Sequence, residues 1–339
     1  MTEKRPPARL PLPDALRGMA AIGVVFHHEQ MLYGDAGAFT RAYLAVDFFF
    51  MLSSFVLTLA FEPKLNSTLK ARDFIKMRLA RLWPVLALGV LIGTAWRLSI
   101  GATHDLWLLT LSGLLLVPML RGVGGIFRLD GPAWSLLFEV IGNVAHALVL
   151  RRLPDRVLLV FALVCGAWLA WAAADWGSVG LGDTVRNWQG GFARVGFSYG
   201  MGIWLGRQFA RGRWPVPQTV AWAGALLLPV AMFTAQYWPL GVVAGDLLAV
   251  LVLFPPALWC ATHVTMAGWS AKLADGLGRS SYPVYALHGP MLIWGASLAR
   301  RHADMAGMIR PATLLAIAAL SIAVMLSPLP RGIPLRRRG

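Results

Sequence analysis

Arg17 and His28 stand eleven positions apart in one apolar run, and eleven steps of 100° return a helix to within about 20° of the same azimuth. They share a face, with backbones about 16 Å apart along the axis. Such a helix offers a cation to a molecule arriving from the cytoplasm and an imidazole to one arriving from outside. The alternative is a snorkelling arginine beside a satisfied interior histidine. Asp47 opens the next apolar run from the outer side, at a depth comparable to His28. A carboxylate on one ring nitrogen would fix the imidazole tautomer and leave the other nitrogen free for general-base work. The alternative there is that Asp47 only neutralises an arginine. Arg78 and Arg81, i and i+3 on a turn with Lys76 close by, suit a diphosphate because each guanidinium fork grips two oxygens. They suit topology or anionic lipid as well. Ser135, Glu139 and His146 make a polar stripe on one helix face, with Glu139 expected on the outer side beside His28 and Asp47, binding an acceptor hydroxyl or sharing a proton. Arg194 and Asp246 are weaker candidates for an outward funnel, and His288 serves equally well as a helix-packing hydrogen bonder.

The elements that must position these residues are membrane helices. The chain has 339 residues, 57% hydrophobic and 14% charged, with a mean hydropathy of +0.61. A soluble domain is about a quarter charged, so an ordinary soluble enzyme is excluded. Apolar runs place spans near 12–33, 43–61, 82–100, 132–150, 157–174, 191–209, 218–236, 240–262, 281–299 and 311–329. The fold expected is all-α, a polytopic transmembrane bundle of about ten spanning helices. Residues 106–120 would rise only about 22 Å against a hydrocarbon core of about 30 Å, so that segment is expected to be re-entrant or interfacial. The net charge of +15 sits mostly at the ends of apolar runs, which points to topology rather than nucleic acid. On that basis both termini are cytoplasmic, with Arg300, Arg301 and Arg310 an outward exception. One membrane domain is expected over 1–339, its core 12–329 between basic tails 1–11 and 330–339, with no cleavable signal peptide and no fused outer domain. Cys165 and Cys260 lie in apolar stretches without metal-ligand spacing, so neither a disulfide nor a metal is expected.

The residues resemble the integral-membrane acyltransferase-3 family over nearly the whole chain. "LPDALRGMAAIGVVFHH" is similar to its opening helix, which carries an arginine and a histidine at the spacing of Arg17 and His28. "AVDFFFMLSSF" resembles the Gly-Val-Asp-x-Phe-Phe-x-x-Ser-Gly motif, with Asp47 the acid and Ser53 the serine. "FIKMRLARLWP" resembles the Arg-x-x-Arg stretch, here Arg78 and Arg81, and "WSLLFE" the Trp-Ser-Leu-x-x-Glu motif, here Trp134, Ser135 and Glu139. "LGRSSYPVYALHGP" is similar to a late helix containing His288. Ala45 and Ser54 replace common glycines, and Met77 a common arginine for which Lys76 would substitute. The resemblance implies an O-acyltransferase of the bacterial plasma membrane that takes an acyl group, acetyl being expected, from cytoplasmic acyl-CoA to a hydroxyl outside. It implies acyl-CoA on Arg78, Arg81 and Lys76; catalysis by His28, Asp47, Arg17 and Glu139; and an acceptor at Trp134, Ser135 and Ser53. The acceptor class is a cell-surface glycan or lipid-linked sugar, and membrane lipids are the remaining partners. The rival reading is a transporter of a small organic acid or lipid-linked sugar, which would place paired broken helices in two related halves. The polar residues crowd into the first 140 positions instead, which favours the enzyme.

Overall fold

The computed structural model describes residues 10–35 and 37–328. The basic tails with Lys4, Arg5, Arg9, Arg331 and Arg336 to Arg338 lie outside the described residues. The chain runs through α1 (Pro11–Tyr33), α2 (Ala45–Leu65), α3 (Ala71–Ser99), α4 (Leu106–Leu114), α5 (Ala133–Leu148), α6 (Asp155–Trp176) and α7 (Gly190–Ala210). It continues through α8 (Gln218–Ala225), α9 (Leu227–Thr234), α10 (Val242–Leu247), α11 (Phe254–His263), α12 (Gly268–Arg301) and α13 (Ala306–Leu326). No β-strand occurs among the described residues. Between α10 and α11 the backbone makes a π-helical turn over Leu248–Leu253. Pro255 and Pro256, just after it, bring no N–H to the ladder, which frees carbonyls one turn back.

Among the described residues, seven helical segments are long and apolar enough to cross a membrane: Ala42–Leu65, Ala71–Ser99, Ala133–Arg152, Asp155–Trp176, Gln218–Tyr237, Val242–His263 and Ala303–Leu326. The other three expected spans coincide with α1, α7 and α12, of 23, 21 and 34 residues. These are long enough but more polar, because they carry charges such as Arg17, Arg194 and Arg279 into the bundle. Two boundaries differ from expectation. α3 starts at Ala71, so Arg78 and Arg81 belong to a helix rather than a loop, and α12 starts at Gly268. In both, charged residues lower the local hydropathy without interrupting the helix. α4 has nine residues and rises about 14 Å, too little to cross.

The helices meet through small residues, as membrane helices do where apolar burial gives no contrast with lipid. α1 runs parallel to α12: a Cβ on Gly18 would stand 2.6 Å from that of Leu277, and one on Gly278 would stand 2.7 Å from that of Asp14. α2 runs parallel to α7, and a Cβ on Gly202 would overlap the Met51 carbonyl and the Ser54 hydroxyl. We call the end of the bundle where α1, α3 and α12 begin the near end, and the opposite one the far end.

An ion pair fastens α2 to α7 at the far end. Arg194 Nη2 lies 2.6 Å from Asp47 Oδ2, its Nε lies 3.3 and 3.2 Å from the two carboxylate oxygens, and Ser198 donates to Oδ1 at 3.4 Å. Arg194 also donates to the carbonyls of Leu181 and Tyr43, both at 3.1 Å. Asp47 is 0% and Arg194 1% exposed. The expected contact of Asp47 with His28 is therefore corrected. A buried guanidinium neutralises the carboxylate and engages both its oxygens, which a neutral imidazole does not.

Asp47→Asn leaves Arg194 an uncompensated buried charge and is expected to cost about 3–5 kcal/mol, read as lost folded protein in membranes; wild-type abundance and melting temperature would contradict it. Gly202→Ala is expected to destabilise by about 1–3 kcal/mol through overpacking. Gly276→Ala, where a Cβ would meet nothing within 4 Å, should instead gain about 0.5–1 kcal/mol. The comparison is made by melting the detergent-solubilised proteins.

Candidate functional site

A cavity of about 550 Å³ opens among α1, α2, α3, α5 and α12. Its longest wall is α2, which faces it from Val46 to Phe61, a run of about 22 Å. Four cations line it among the described residues: Arg17 from α1, Arg78 and Arg81 from α3, and Arg279 from α12. Glu139 is the one carboxylate among its described lining residues. An interior with four guanidiniums and one acid is built to receive an anion.

Glu139 does not stand free. Its Oε1 accepts from Arg78 Nη2 at 2.8 Å and from the Ser53 hydroxyl at 2.9 Å. The expectation that it lies on the outer side beside His28 and Asp47 is corrected. Glu139 is six residues into α5, about 9 Å from its far end, and Arg78 is about 10 Å up α3 from the near end, so the two meet at mid-depth. Arg17 Nη2 donates to the Gly278 carbonyl at 2.7 Å and lies 3.2 Å from Asp14. The Nε atoms of Arg17 and Arg78 are buried without a hydrogen-bond partner. Each holds a donor that an entering anion would satisfy.

At the far end of the cavity the Tyr285 hydroxyl meets Ser135 Oγ at 2.7 Å. Ser135 gives its own proton to the Pro132 carbonyl at 3.0 Å, so Tyr285 donates to it. The Tyr285 ring stands edge-on to Phe49, with centroids 5.4 Å apart, and 5.7 Å from the His288 ring. His288 Nε2 lies 3.0 Å from His28 Nδ1, which is also 3.1 Å from the Val24 carbonyl. His28 is not on the cavity wall. Arg17 and His28 therefore do not line one open passage, as their shared face led us to expect. Ring contacts run from Phe49 and Tyr285, on the cavity wall, through His288 to His28.

The remaining predicted residues divide. Ser53, Ser135, Arg78 and Arg81 line the cavity. Lys76 is exposed and off the wall, since two residues on a helix point to opposite sides. Trp134 lies under the Arg194 guanidinium at 5.2 Å and edge-on to Phe138 at 5.9 Å, so it braces α5 rather than lining the cavity. Asp246 is buried against Arg41 at 2.7 Å, Tyr43 and the Val179 amide, and lines no funnel. His146 meets Glu62 at 3.0 Å, and Glu62 also accepts from Arg207 at 2.7 Å. That network closes a second, near-end hollow whose arginines Arg151, Arg207 and Arg211 are all bonded. Sequence reasoning missed Tyr282, Tyr285 and Arg279. All three stand in "LGRSSYPVYALHGP" with His288 at every third position, a spacing that would have marked them had α12 been extended to its true start.

A family model described as the acyltransferase domain matches residues 11–328. "Protein 2 in picA locus" of Rhizobium radiobacter is 32% identical over 188 residues, covering 50% of this chain and 97% of its own. No solved structure matches the chain. With its membrane-competent helices and a match over nearly its whole length, the chain belongs to the acyltransferase-3 family and is a multi-pass membrane acyltransferase.

Proposed function

We propose that the protein is an O-acyltransferase of the bacterial plasma membrane. It takes an acyl group, acetyl being the expected one, from acyl-CoA on the cytoplasmic side. It delivers that group to a hydroxyl of an acceptor outside, a cell-surface carbohydrate or lipid-linked sugar. The observation that carries this reading is the polarity of the cavity, with arginines towards its near end and an imidazole pair just beyond its far end.

The anionic end of the donor binds Arg81, Arg17 and Arg279, which come from three helices, while Arg78 is held by Glu139 and Ser53 and stiffens the wall. This differs from a simple Arg78 and Arg81 clamp. The narrow thioester arm lies along the α2 face, which is mostly aromatic and aliphatic. Tyr285 and Phe49 stand between that arm and His28, so delivery requires the Tyr285 ring to turn away from Phe49. His28 then accepts the proton of the acceptor hydroxyl as the oxygen attacks the thioester carbonyl. The C–S bond breaks, and the leaving thiolate takes the proton from His28, so that ester and free thiol are the balanced products. Tyr285 and Ser135, hydroxyls at the cavity's far end, line the approach of the acyl group. Asp47 acts through Arg194 on the placement of α2.

Acyl transfer is followed by thiol release from acyl-CoA with purified protein and a glycan acceptor; a transporter would leave the thioester intact. His28→Ala at wild-type membrane abundance is expected to lower turnover by about 10²–10⁴-fold, and unchanged turnover would refute the assignment. Arg81→Ala and Arg279→Ala are each expected to raise KM for acyl-CoA about tenfold or more, the loss of one charge-assisted bond, with kcat little changed. Lys76→Ala should leave both constants within about twofold. Equal effects from all three would remove the cavity from donor binding.

A further inference from the structure

The protons on the two histidines follow from their neighbours. His288 Nδ1 lies 2.7 Å from the Tyr285 carbonyl and 3.2 Å from the Val284 carbonyl. A carbonyl only accepts, so Nδ1 carries the hydrogen. The neutral ring then presents a bare lone pair at Nε2, and that atom is 3.0 Å from His28 Nδ1. His28 Nδ1 must donate, and its second neighbour, the Val24 carbonyl at 3.1 Å, demands the same. In the opposite arrangement, lone pairs would face all three carbonyls. No carboxylate bonds to either ring among the described residues, so a doubly protonated His288 would lack a counter-ion. His28 Nε2 is left as the unprotonated nitrogen.

We propose that His288 is the positioning residue of the base. It holds His28 in the Nδ1-protonated tautomer, so that Nε2 is the atom that meets the acceptor hydroxyl. When Nε2 takes the proton, the Nδ1–H of the resulting imidazolium donates a stronger, charge-assisted bond to His288. A histidine thus fills the place expected for Asp47. The partner adds no buried negative charge, and its own Nδ1 is anchored by backbone on the same α12 that carries Tyr285 and Arg279. The proposal rests on His28 as the base, and its test separates the two ideas.

Full-length protein labelled with ¹⁵N-histidine in lipid bilayers should show both His28 and His288 protonated at Nδ1 and bare at Nε2 near neutral pH, with signals assigned by their loss in His28→Ala and His288→Gln. An Nε2-protonated signal from either residue would overturn the pairing. In kinetics, His288→Leu removes the acceptor and should lower kcat about 100-fold, with KM for acyl-CoA within about twofold. His288→Gln sets an amide oxygen near the lost Nε2 and should recover most of that rate. A His288→Leu protein with wild-type kcat, or a glutamine variant as slow as the leucine one, would sink the positioning role. If His288→Leu fails to accumulate, the glutamine rate and the tautomers decide. Expected tautomers together with full activity in His28→Ala would strike the proposed base and leave the histidine pair intact.

Discussion

Arg194 and Asp47 meet where no water can share their charge, and the placement of α2 depends on that meeting. In a bundle wrapped by hydrocarbon, a full charge must find its counterpart within the protein. With α2 drawn against α7, Ser53 faces α5 and can reach Glu139, and Glu139 in turn draws Arg78 inward from α3. The same demand recurs in the pairs of Asp246 with Arg41 and of Glu62 with Arg207. Arg17 and Arg279, whose acidic neighbours Asp14 and Asp275 are themselves partly solvated, face the cavity together with Arg81. Which cations can receive a ligand is thus decided by which acids are buried.

α5 shows how one helix distributes this order. Its stripe of Ser135, Glu139, Asn143 and His146 meets Tyr285 of α12, Arg78 of α3, Tyr199 of α7 and Glu62 of α2 in turn. Interhelical hydrogen bonds in membranes contribute roughly 0.6–2 kcal/mol each, so none dominates. Together they fix the rotation of α5 about its axis, and hence which residues reach the cavity.

Much of this was legible in the residues. The helical class and the apolar core follow from periodicity, and Arg17, Ser53, Arg78, Arg81 and Ser135, marked by spacing or by motif, line one cavity, with Glu139 among them rather than beside His28. Partner choice did not follow. Asp47 could be placed at the right depth for His28, but Arg194 lies 147 residues on and competes for the same carboxylate with full charge. That Asp47 merely neutralises an arginine, the plainer alternative, describes what is seen. Lys76 was carried by adjacency to Arg78 and Trp134 by its place in a motif, and on a helix the next residue or the next but one faces elsewhere. Arg279 was hidden by hydropathy, which trims a helix where its charges begin although the backbone continues. The tyrosines drew no notice because a phenol in an apolar run reads as packing until its hydroxyl is seen to have a partner.

Order of synthesis gives the α1 and α12 contact a meaning beyond geometry. Arg17 and His28 reach their α12 partners across 261 and 260 residues. A ribosome adding about 5–20 residues per second leaves the polar face of α1 waiting for tens of seconds while the intervening helices emerge. Both α1 and α12 are more polar than the seven segments long and apolar enough to cross a membrane. The helix pair that carries Arg17, His28 and His288 is begun first and finished nearly last. A chain released before α12 would retain most of its hydrophobic spans yet lack the Gly278 carbonyl that Arg17 reaches and the imidazole that His28 reaches.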